Sequence, residues 1–397
     1  MKTLLVIIDG AADRPCAKLN GETPLSAANK LNLDVLASQG YCGRLRIARD
    51  IAPESDVGVM SVLGFNPFEK HVGRGALEAL GLNLISNKSK NYLALRCNFA
   101  TLNENTGEII DRRVSRSLTE KEGKALAKEI QSKVKIKGVK IKFIHTIGHR
   151  AVIVFFTKKK TSEKVQNSDP AYQVTSSGIA NANAKFKPFI VHSLALSDSK
   201  ESEYSAHLLN DFTIQAINVL RNSKINKNRK NKGLLPANCV LSRDADVQLL
   251  IAQKNYKEWS VLADMPLELG IAKFTGMKVV KCDTSNYKRT ALLTTKLLRS
   301  GSAYVHFKKP DLFGHDNMPV EKMREIEQID AGFFSHVLKN VDLKKVRIVV
   351  CSDHATPCEV EGHSNDLVPF IDTKRKSNNE VYSEFNLEKA IDAWELL

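Results

Sequence analysis

Three short runs of branched apolar residues, each stopping on a carboxylate, limit this chain more than anything else in it. Residues 3–8 (T-L-L-V-I-I) run into Asp9-Gly10, residues 302–308 run into Pro310-Asp311, and Ile348-Val349-Val350 runs through Cys351-Ser352 into Asp353-His354. A continuous apolar run without polar alternation predicts a strand buried on both faces, which is the habit of parallel sheets covered by helices. In open α/β sheets ligands collect beyond the carboxyl ends of the strands. Asp9, Asp311 with His315, and Asp353 and His354 with His363 therefore fall where chemistry is usually done. Asp311 and His315 stand four residues apart, so one helical turn or tight loop presents both. Mixed carboxylate and imidazole sets are ligands for divalent transition metals. These six side chains suffice for two ions with places left for a hydroxyl and a phosphate oxygen. Taken singly, each has a plainer reading as a turn-opening Asp, a helix cap or a loop histidine.

Between the first two runs lies Pro53-Glu54-Ser55-Asp56, immediately before an apolar helical stretch. Ser55 occupies the place of an N-cap. It is either only a cap or a nucleophile at a helix start, where free N–H groups and the helix dipole favour an incoming phosphate. The surrounding pattern predicts helices over residues 24–38 (Leu25, Ala28, Leu31, Val35 and Leu36 on one face), 73–80, 319–339 and about 386–397, with a further strand at 277–281. In the helix over 319–339, Phe333 and Phe334 read as core. From residue 88 the texture changes. Strands are expected at 92–100 and 150–156, and a helix at 119–134 opening with a Thr119-x-x-Glu122 capping box. A polar, loop-rich stretch over 158–185, a helix near 203–222 and a basic linker over 224–232 follow. A chain of 397 residues exceeds one typical core. The expected organisation is a metal-binding domain in two parts, residues 1–87 and 257–397, interrupted by an inserted domain over 88–256.

The 59 Lys and Arg against 44 Asp and Glu leave a net charge of +15, which admits nucleic acid or small anions as partners. The lysine runs at 158–160 and 224–232 carry no interleaved aromatics and no nucleic-acid motif, so no nucleic-acid partner is expected. The N-terminal apolar run stops at Asp9, unlike a secretory signal, and no segment is long enough to cross a bilayer, so no membrane partner is expected either. Seven scattered cysteines without C-x-x-C spacing point to a reduced, cytoplasmic protein. Oligomeric state is not readable.

The order Ile8-Asp9-Gly10, Ser55-Asp56, Pro310-Asp311-x-x-Gly314-His315-Asp316, Asp353-His354-x-Thr356-Pro357-Cys358 and Gly362-His363-Ser364 resembles the alkaline phosphatase superfamily. Arg96-Cys97-Asn98-Phe99-Ala100-Thr101, Asp111-Arg112-Arg113, Gly148-His149-Arg150-Ala151-Val152 and Gly233-Leu234-Leu235-Pro236-Ala237-Asn238 narrow the resemblance to the archaeal-type cofactor-independent phosphoglycerate mutases. It spans nearly the whole chain and is weakest over residues 158–222. It implies an α/β fold, with an alkaline-phosphatase-like, mostly parallel sheet sandwiched by helices and an inserted smaller α+β lid domain. It assigns one divalent metal to Asp311, His315 and His363, and a second to Asp9, Asp353, His354 and the Ser55 hydroxyl. Manganese suits this mixed set best, with magnesium, cobalt or zinc as alternatives. Ser55 would be the phosphorylated nucleophile that moves phosphate between 3-phosphoglycerate and 2-phosphoglycerate, and the inserted domain would hold the acid and exclude water. Candidate substrate contacts are Arg112, Arg113, Arg116, Arg150 and Arg243, with Asn98 and His149 nearby, because guanidinium forks suit carboxylate and phosphate. The competing expectation is a metal-dependent phosphohydrolase, or a mutase of another phosphorylated acid or sugar, on the same core. Three features depart from the family pattern: Glu54 where glycine is usual, Val57-Gly58 where Thr-Ala is common, and Leu269 where a lysine usually precedes the glycine.

Overall fold

A computed structural model of the chain describes residues 1–49, 51–69, 72–174, 180–182, 186–249, 254–378, 380–385 and 390–397. The chain divides into two compact units, Met1–Lys70 with Ala252–Leu397, and His71–Ile251. The helix Arg74–Gly81, expected with the first segment, groups with the second unit instead. Its Gly75 lies so close to the carbonyls of Asp244 and Ala94 that a Cβ would stand 2.4 and 2.6 Å from them. The boundary therefore follows packing onto the second unit's strands rather than the change in sequence texture.

The first unit is built on an eight-stranded sheet ordered Lys278–Lys281, Trp259–Ala263, Ser302–Phe307, Lys2–Ile8, Val346–Cys351, Val368–Asp372, Tyr41–Arg46, Ile391–Asp392. The five strands from Lys278–Lys281 to Val346–Cys351 are mutually parallel, and Val368–Asp372 runs against both of its neighbours. The central strand explains the architecture. Leu4, Val6 and Ile8 join one core cluster with Leu33, Leu36, Ile326, Phe333 and Phe334, while the alternate residues Leu5 and Ile7 are equally buried on the other face. Both faces are dry, as a run without polar alternation requires.

Several local expectations are corrected. The helix expected over 24–38 is two helices, Pro24–Ala27 and Leu31–Gln39. Ala28 ends the first in an extended conformation, and Leu31 and Val35, expected on the apolar face, are exposed. The second helix takes its N-terminal partner from far away: the buried carboxylate of Asp330 accepts from the backbone of Asn32 and Leu33 at 3.1 and 2.8 Å. The long helix beginning at Pro319 continues to Asn340 but passes through a wider π turn at Asp330–Phe334. At the C-terminus, residues 386–389 of the expected helix lie outside the described residues, and the remainder forms the short strand Ile391–Asp392 and a 3-10 turn at Ala393–Glu395. Strand pairing with Tyr41–Arg46 is what overrides helical periodicity there.

In the second unit, Tyr92–Leu102 lies antiparallel between Arg150–Phe156 and Cys239–Asp246, with Lys140–His145 beyond and Ile109–Asp111 at its far end. Helices Glu120–Lys133 and Lys200–Arg221 share a core with the sheet around Phe99, Phe143, Phe155 and Phe212. The Thr119/Glu122 capping box forms. The basic stretch expected to be a linker is a helix, Lys224–Asn231, started by the Ser223 hydroxyl on the Ile225 backbone. It is held by Arg229, which is 1% exposed and donates to the Leu235 carbonyl, to Glu122 and to the Ser117 hydroxyl.

Candidate active site

Strand ends place the first unit's polar cluster. Asp9 follows Lys2–Ile8, Asp311 and His315 lie on the helix Lys309–His315 just after Ser302–Phe307, and Asp353 and His354 follow Val346–Cys351. Because these three strands are adjacent and parallel, their carboxyl ends open at one edge. His354 Nε2 stands 3.2 Å from Asp9 Oδ1 and 3.6 Å from Asp353 Oδ2. His363 and His315 present Nε2 at 3.5 and 3.6 Å from Asp311 Oδ1. The His354 and His363 rings stack at 3.8 Å between centroids. The outer ring nitrogens are aimed from behind: His363 Nδ1 meets the Pro53 carbonyl at 2.9 Å, and His315 Nδ1 meets that of Glu361 at 3.0 Å. Such supports fix ring orientation and aim the other nitrogen toward the ligand group.

Ser55 is corrected in one respect. It is the first residue of the helix Ser55–Val62 rather than its cap, which is Glu54. Its buried hydroxyl lies 3.3 Å from His354 Nε2. The helix approaches closely because residue 58 is glycine: a Cβ there would fall 2.1 Å from the Asp353 carbonyl oxygen. The Val57-Gly58 departure thus has a steric reason in this chain.

Do these residues fit metal? Ligand atoms of Asp311, His315 and His363 lie within 4.8 Å of one another, as do those of Asp9, Asp311 and His354, and those of Asp9, His306 and Asp353. Asp9 Oδ1 and Asp353 Oδ2 are buried without a hydrogen-bond partner, a costly arrangement unless a cation satisfies them. The donor set fits divalent ions.

The electrostatics agree. Burial opposes ionisation of Asp9, yet the Lys308 ammonium, with His306 and His354, holds its carboxyl well below the usual range. Burial and the Asp9 charge push Asp353 upward. Burial disfavours a charged His354, but Asp353 and Asp9 outweigh it and raise its pKa to about 9. Sites crowded with mutually perturbed groups of this kind are where catalysis is usually done.

Sequence reading missed three members of this cluster. His306 sits inside an apolar strand, with Nε2 3.0 Å from Asp9 Oδ2 and Nδ1 2.7 Å from the Tyr304 hydroxyl. The lone histidine in S-A-Y-V-H-F was its only signal. Lys308 bridges Asp9 and Glu268, the latter at 3.0 Å. Leu269, where a lysine is usual, is buried and apolar, and the cation beside Asp9 is Lys308, one residue past the strand Ser302–Phe307.

In the second unit, two of the expected arginines, Arg112 and Arg243, converge on a residue the sequence did not flag. Asp169, fully buried, accepts from Arg112 Nε and Nη2 at 2.8 and 2.7 Å and from Arg243 Nη1 at 3.0 Å. Both guanidinium groups lie over the Tyr172 ring, at 5.2 and 4.2 Å. Asn98, with its amide oxygen turned to Arg243, accepts from Nη1 at 3.3 Å. His149 is held neutral, with its pKa depressed to about 2 by burial and by Arg150, Arg113, Arg243 and Arg96. Arg113 leads into Val114, Ser115 and Arg116, all with φ near +50°, and Arg116 is exposed at the end of that turn. A left-handed run of three non-glycine residues is strained backbone, of a kind that clusters at active sites and ligand clamps.

Known proteins resemble this chain over both units. Residues 37–226 match the family described as 2,3-bisphosphoglycerate-independent phosphoglycerate mutase, and residues 265–390 match the metalloenzyme superfamily. Proteins named 2,3-bisphosphoglycerate-independent phosphoglycerate mutase are similar along almost their full length. That of Aeropyrum pernix is 36% identical over 94% of this chain and 90% of its own, and that of Pyrococcus horikoshii is 38% identical over 96% and 92%. Among solved structures, a Pyrococcus horikoshii protein superposes with a TM-score of 0.75 at 28% identity, covering 100% of this chain and 95% of its own. The cofactor-independent phosphoglycerate mutase of Thermoplasma acidophilum gives 0.61 at 26%, covering 100% and 98%. This chain belongs to the 2,3-bisphosphoglycerate-independent phosphoglycerate mutase family.

Proposed function

We propose that the chain interconverts 3-phosphoglycerate and 2-phosphoglycerate through phosphorylated Ser55, without 2,3-bisphosphoglycerate, in glycolysis and gluconeogenesis. The observation that carries this reading is a helix-start serine hydroxyl 3.3 Å from His354 within two adjoining groups of carboxylate and imidazole ligands. Asp311, His315 and His363 would hold one divalent ion, and Asp9, Asp353, His354 and the Ser55 hydroxyl a second, with manganese the best match to mixed oxygen and nitrogen donors. When bound, such ions lower the pKa of a coordinated hydroxyl and offset charge on phosphoryl oxygens. His306 and Lys308 orient Asp9, and Lys308 adds a positive charge beside the place phosphate would enter.

Ser55 Oγ takes the phosphoryl group as the bond to the 3-hydroxyl oxygen breaks, glycerate turns, and its 2-hydroxyl takes the group back. Both halves need the acid kept in place and water kept away. We assign that work to the second unit as the substrate-binding domain. Arg112 and Arg243, already aligned by Asp169, together with Arg113, Arg116, Arg150, Asn98 and His149, receive the carboxylate and phosphate. A neutral His149 hydrogen-bonds an anion without adding a charge that must be desolvated. All seven cysteines are unpaired and no helix among the described residues is long and apolar enough to cross a membrane, which supports a cytoplasmic setting.

The test is an enolase-coupled assay on 3-phosphoglycerate without bisphosphoglycerate, after EDTA treatment and then with manganese restored, alongside free-phosphate detection. Formation of 2-phosphoglycerate should return with metal, and Ser55→Ala should lower it by at least about 10³-fold, as loss of a nucleophile does. Phosphate release without 2-phosphoglycerate would make the protein a phosphohydrolase.

A further inference from the structure

One buried cation ties together the segments that carry the proposed metal ligands, yet it touches no ligand. Lys322, on the helix Pro319–Ile329, is 0% exposed. Its ammonium donates to Asp13 Oδ2 at 2.8 Å, to the Thr356 carbonyl at 3.0 Å and to the Ala12 carbonyl at 3.4 Å. Ala12 and Asp13 belong to the loop that leaves Asp9. Thr356 belongs to the loop that carries Asp353, His354 and His363. The helix holding Lys322 follows the one holding Asp311 and His315.

The remaining contacts of this node are as specific. Asp13 Oδ1 accepts from the backbone of Cys358 at 3.0 Å and of Arg14 at 2.8 Å, so the carboxylate anchors the second loop again beyond Thr356. The Thr356 backbone donates to the Ala12 carbonyl at 3.1 Å. Its hydroxyl donates to Asp311 Oδ1 at 2.8 Å and lies 3.0 Å from His354 Nδ1. A Cβ on Gly314, between Asp311 and His315, would fall 2.4 Å from the Thr356 carbonyl that Lys322 holds. Thr356 is thus fixed on its carbonyl side by Lys322, and on its hydroxyl side it sets one ligand from each proposed metal group.

A buried ion pair is a poor device for stability alone, because desolvation consumes most of its Coulomb energy and apolar replacements often serve as well. It is a good device for holding two carbonyls and a carboxylate at fixed distances. We propose that Lys322 is a positioning residue that sets the spacing of the two ligand groups before an ion arrives. This rests on the two-metal reading above. Supporting groups one layer out from ligands typically change metal affinity by about 10- to 100-fold.

The experiment uses the full chain stripped with EDTA. Manganese is titrated by calorimetry into the wild type, Lys322→Gln, and the double variant Lys322→Met with Asp13→Asn, which removes both charges together. Metal-free thermal unfolding and 3-phosphoglycerate kinetics are recorded on the same samples. Manganese binding should weaken by about 10- to 100-fold in the double variant and less in Lys322→Gln, which keeps an N–H donor for the Thr356 carbonyl. The metal-free protein should remain folded, and kcat should recover toward the wild-type value at high manganese. Affinity within about twofold of the wild type in a folded variant, or a loss no larger than the loss of folded fraction, overturns the proposal. Lys322→Gln carries the comparison alone if the double variant does not fold. A wild type that binds no divalent ion overturns the two-metal reading itself, an outcome distinguishable from unchanged binding in the variants.

Discussion

Gly58 shows how far a single atom reaches in this site. Alanine is the better helix former by about 1 kcal/mol, but its Cβ would meet the Asp353 carbonyl at 2.1 Å, and that carbonyl is backbone. Gly58→Ala should therefore cost about 1–3 kcal/mol in urea unfolding rather than gain stability, and should weaken manganese binding at least about tenfold, because relief of the clash moves Asp353 or the helix bearing Ser55. Asp246, in the second unit, makes a prediction about pH. Burial pushes its carboxyl up to about 7, although backbone N–H groups of Gln248 and Gly73 donate to it. A raised carboxyl favours the protonated native state, so this contribution to stability is present in full below the unfolded value near 4 and is lost as pH rises through about 7. The thermal midpoint should fall between pH 5 and pH 8, and Asp246→Asn should flatten that slope. A slope unchanged in the variant would place the pH dependence elsewhere.

Among the elements, those whose ends are marked locally were legible and those finished by distant partners were not. The capping box at Thr119 and Glu122 lies within four consecutive residues, and the helix formed where it was expected. The helix Leu31–Gln39 has no cap of its own: Lys30 makes no side-chain cap bond, and Asp330 supplies the acceptors instead. Nothing within residues 24–38 signals that break, which is why two helices read as one. Asp330→Ala should destabilise the protein by about 2–3 kcal/mol, since it removes charge-assisted bonds to one buried and one half-buried backbone donor. Urea unfolding with an unchanged slope checks it, and a cost below about 0.5 kcal/mol would mean that the first turn finds other partners. The basic segment over 224–232 failed in the same way. Its lysines looked solvated, and the residue that decides its structure, Arg229, is satisfied by Ser117 and Glu122 more than a hundred positions away.

Across the whole molecule, charge is partitioned. The entire net +15 lies in His71–Ile251, where basic side chains outnumber acidic ones two to one, while Met1–Lys70 with Ala252–Leu397 is balanced. A field of that sign draws an anionic substrate toward the arginine cluster, and salt screens it with a Debye length of about 8 Å at physiological ionic strength. Raising salt from about 20 to 300 mM should lower kcat/KM for 3-phosphoglycerate several-fold with little change in kcat. An equal fall in kcat would point to the chemistry rather than to capture. By itself, the sequence determined the class of fold, the positions of Asp9, Asp311, His315, Asp353, His354 and His363 at strand ends, and a serine at a helix start, because β-branched runs and strand-end ligands are properties of consecutive residues. Only the tertiary structure decided that Lys308 and His306 brace Asp9, that Asp169 aligns two arginines, and that Lys322 holds the ligand loops together. Each of those is a buried or half-buried polar group satisfied by residues tens to hundreds of positions away, and a burial pattern of that kind exists only once the strands have been brought side by side.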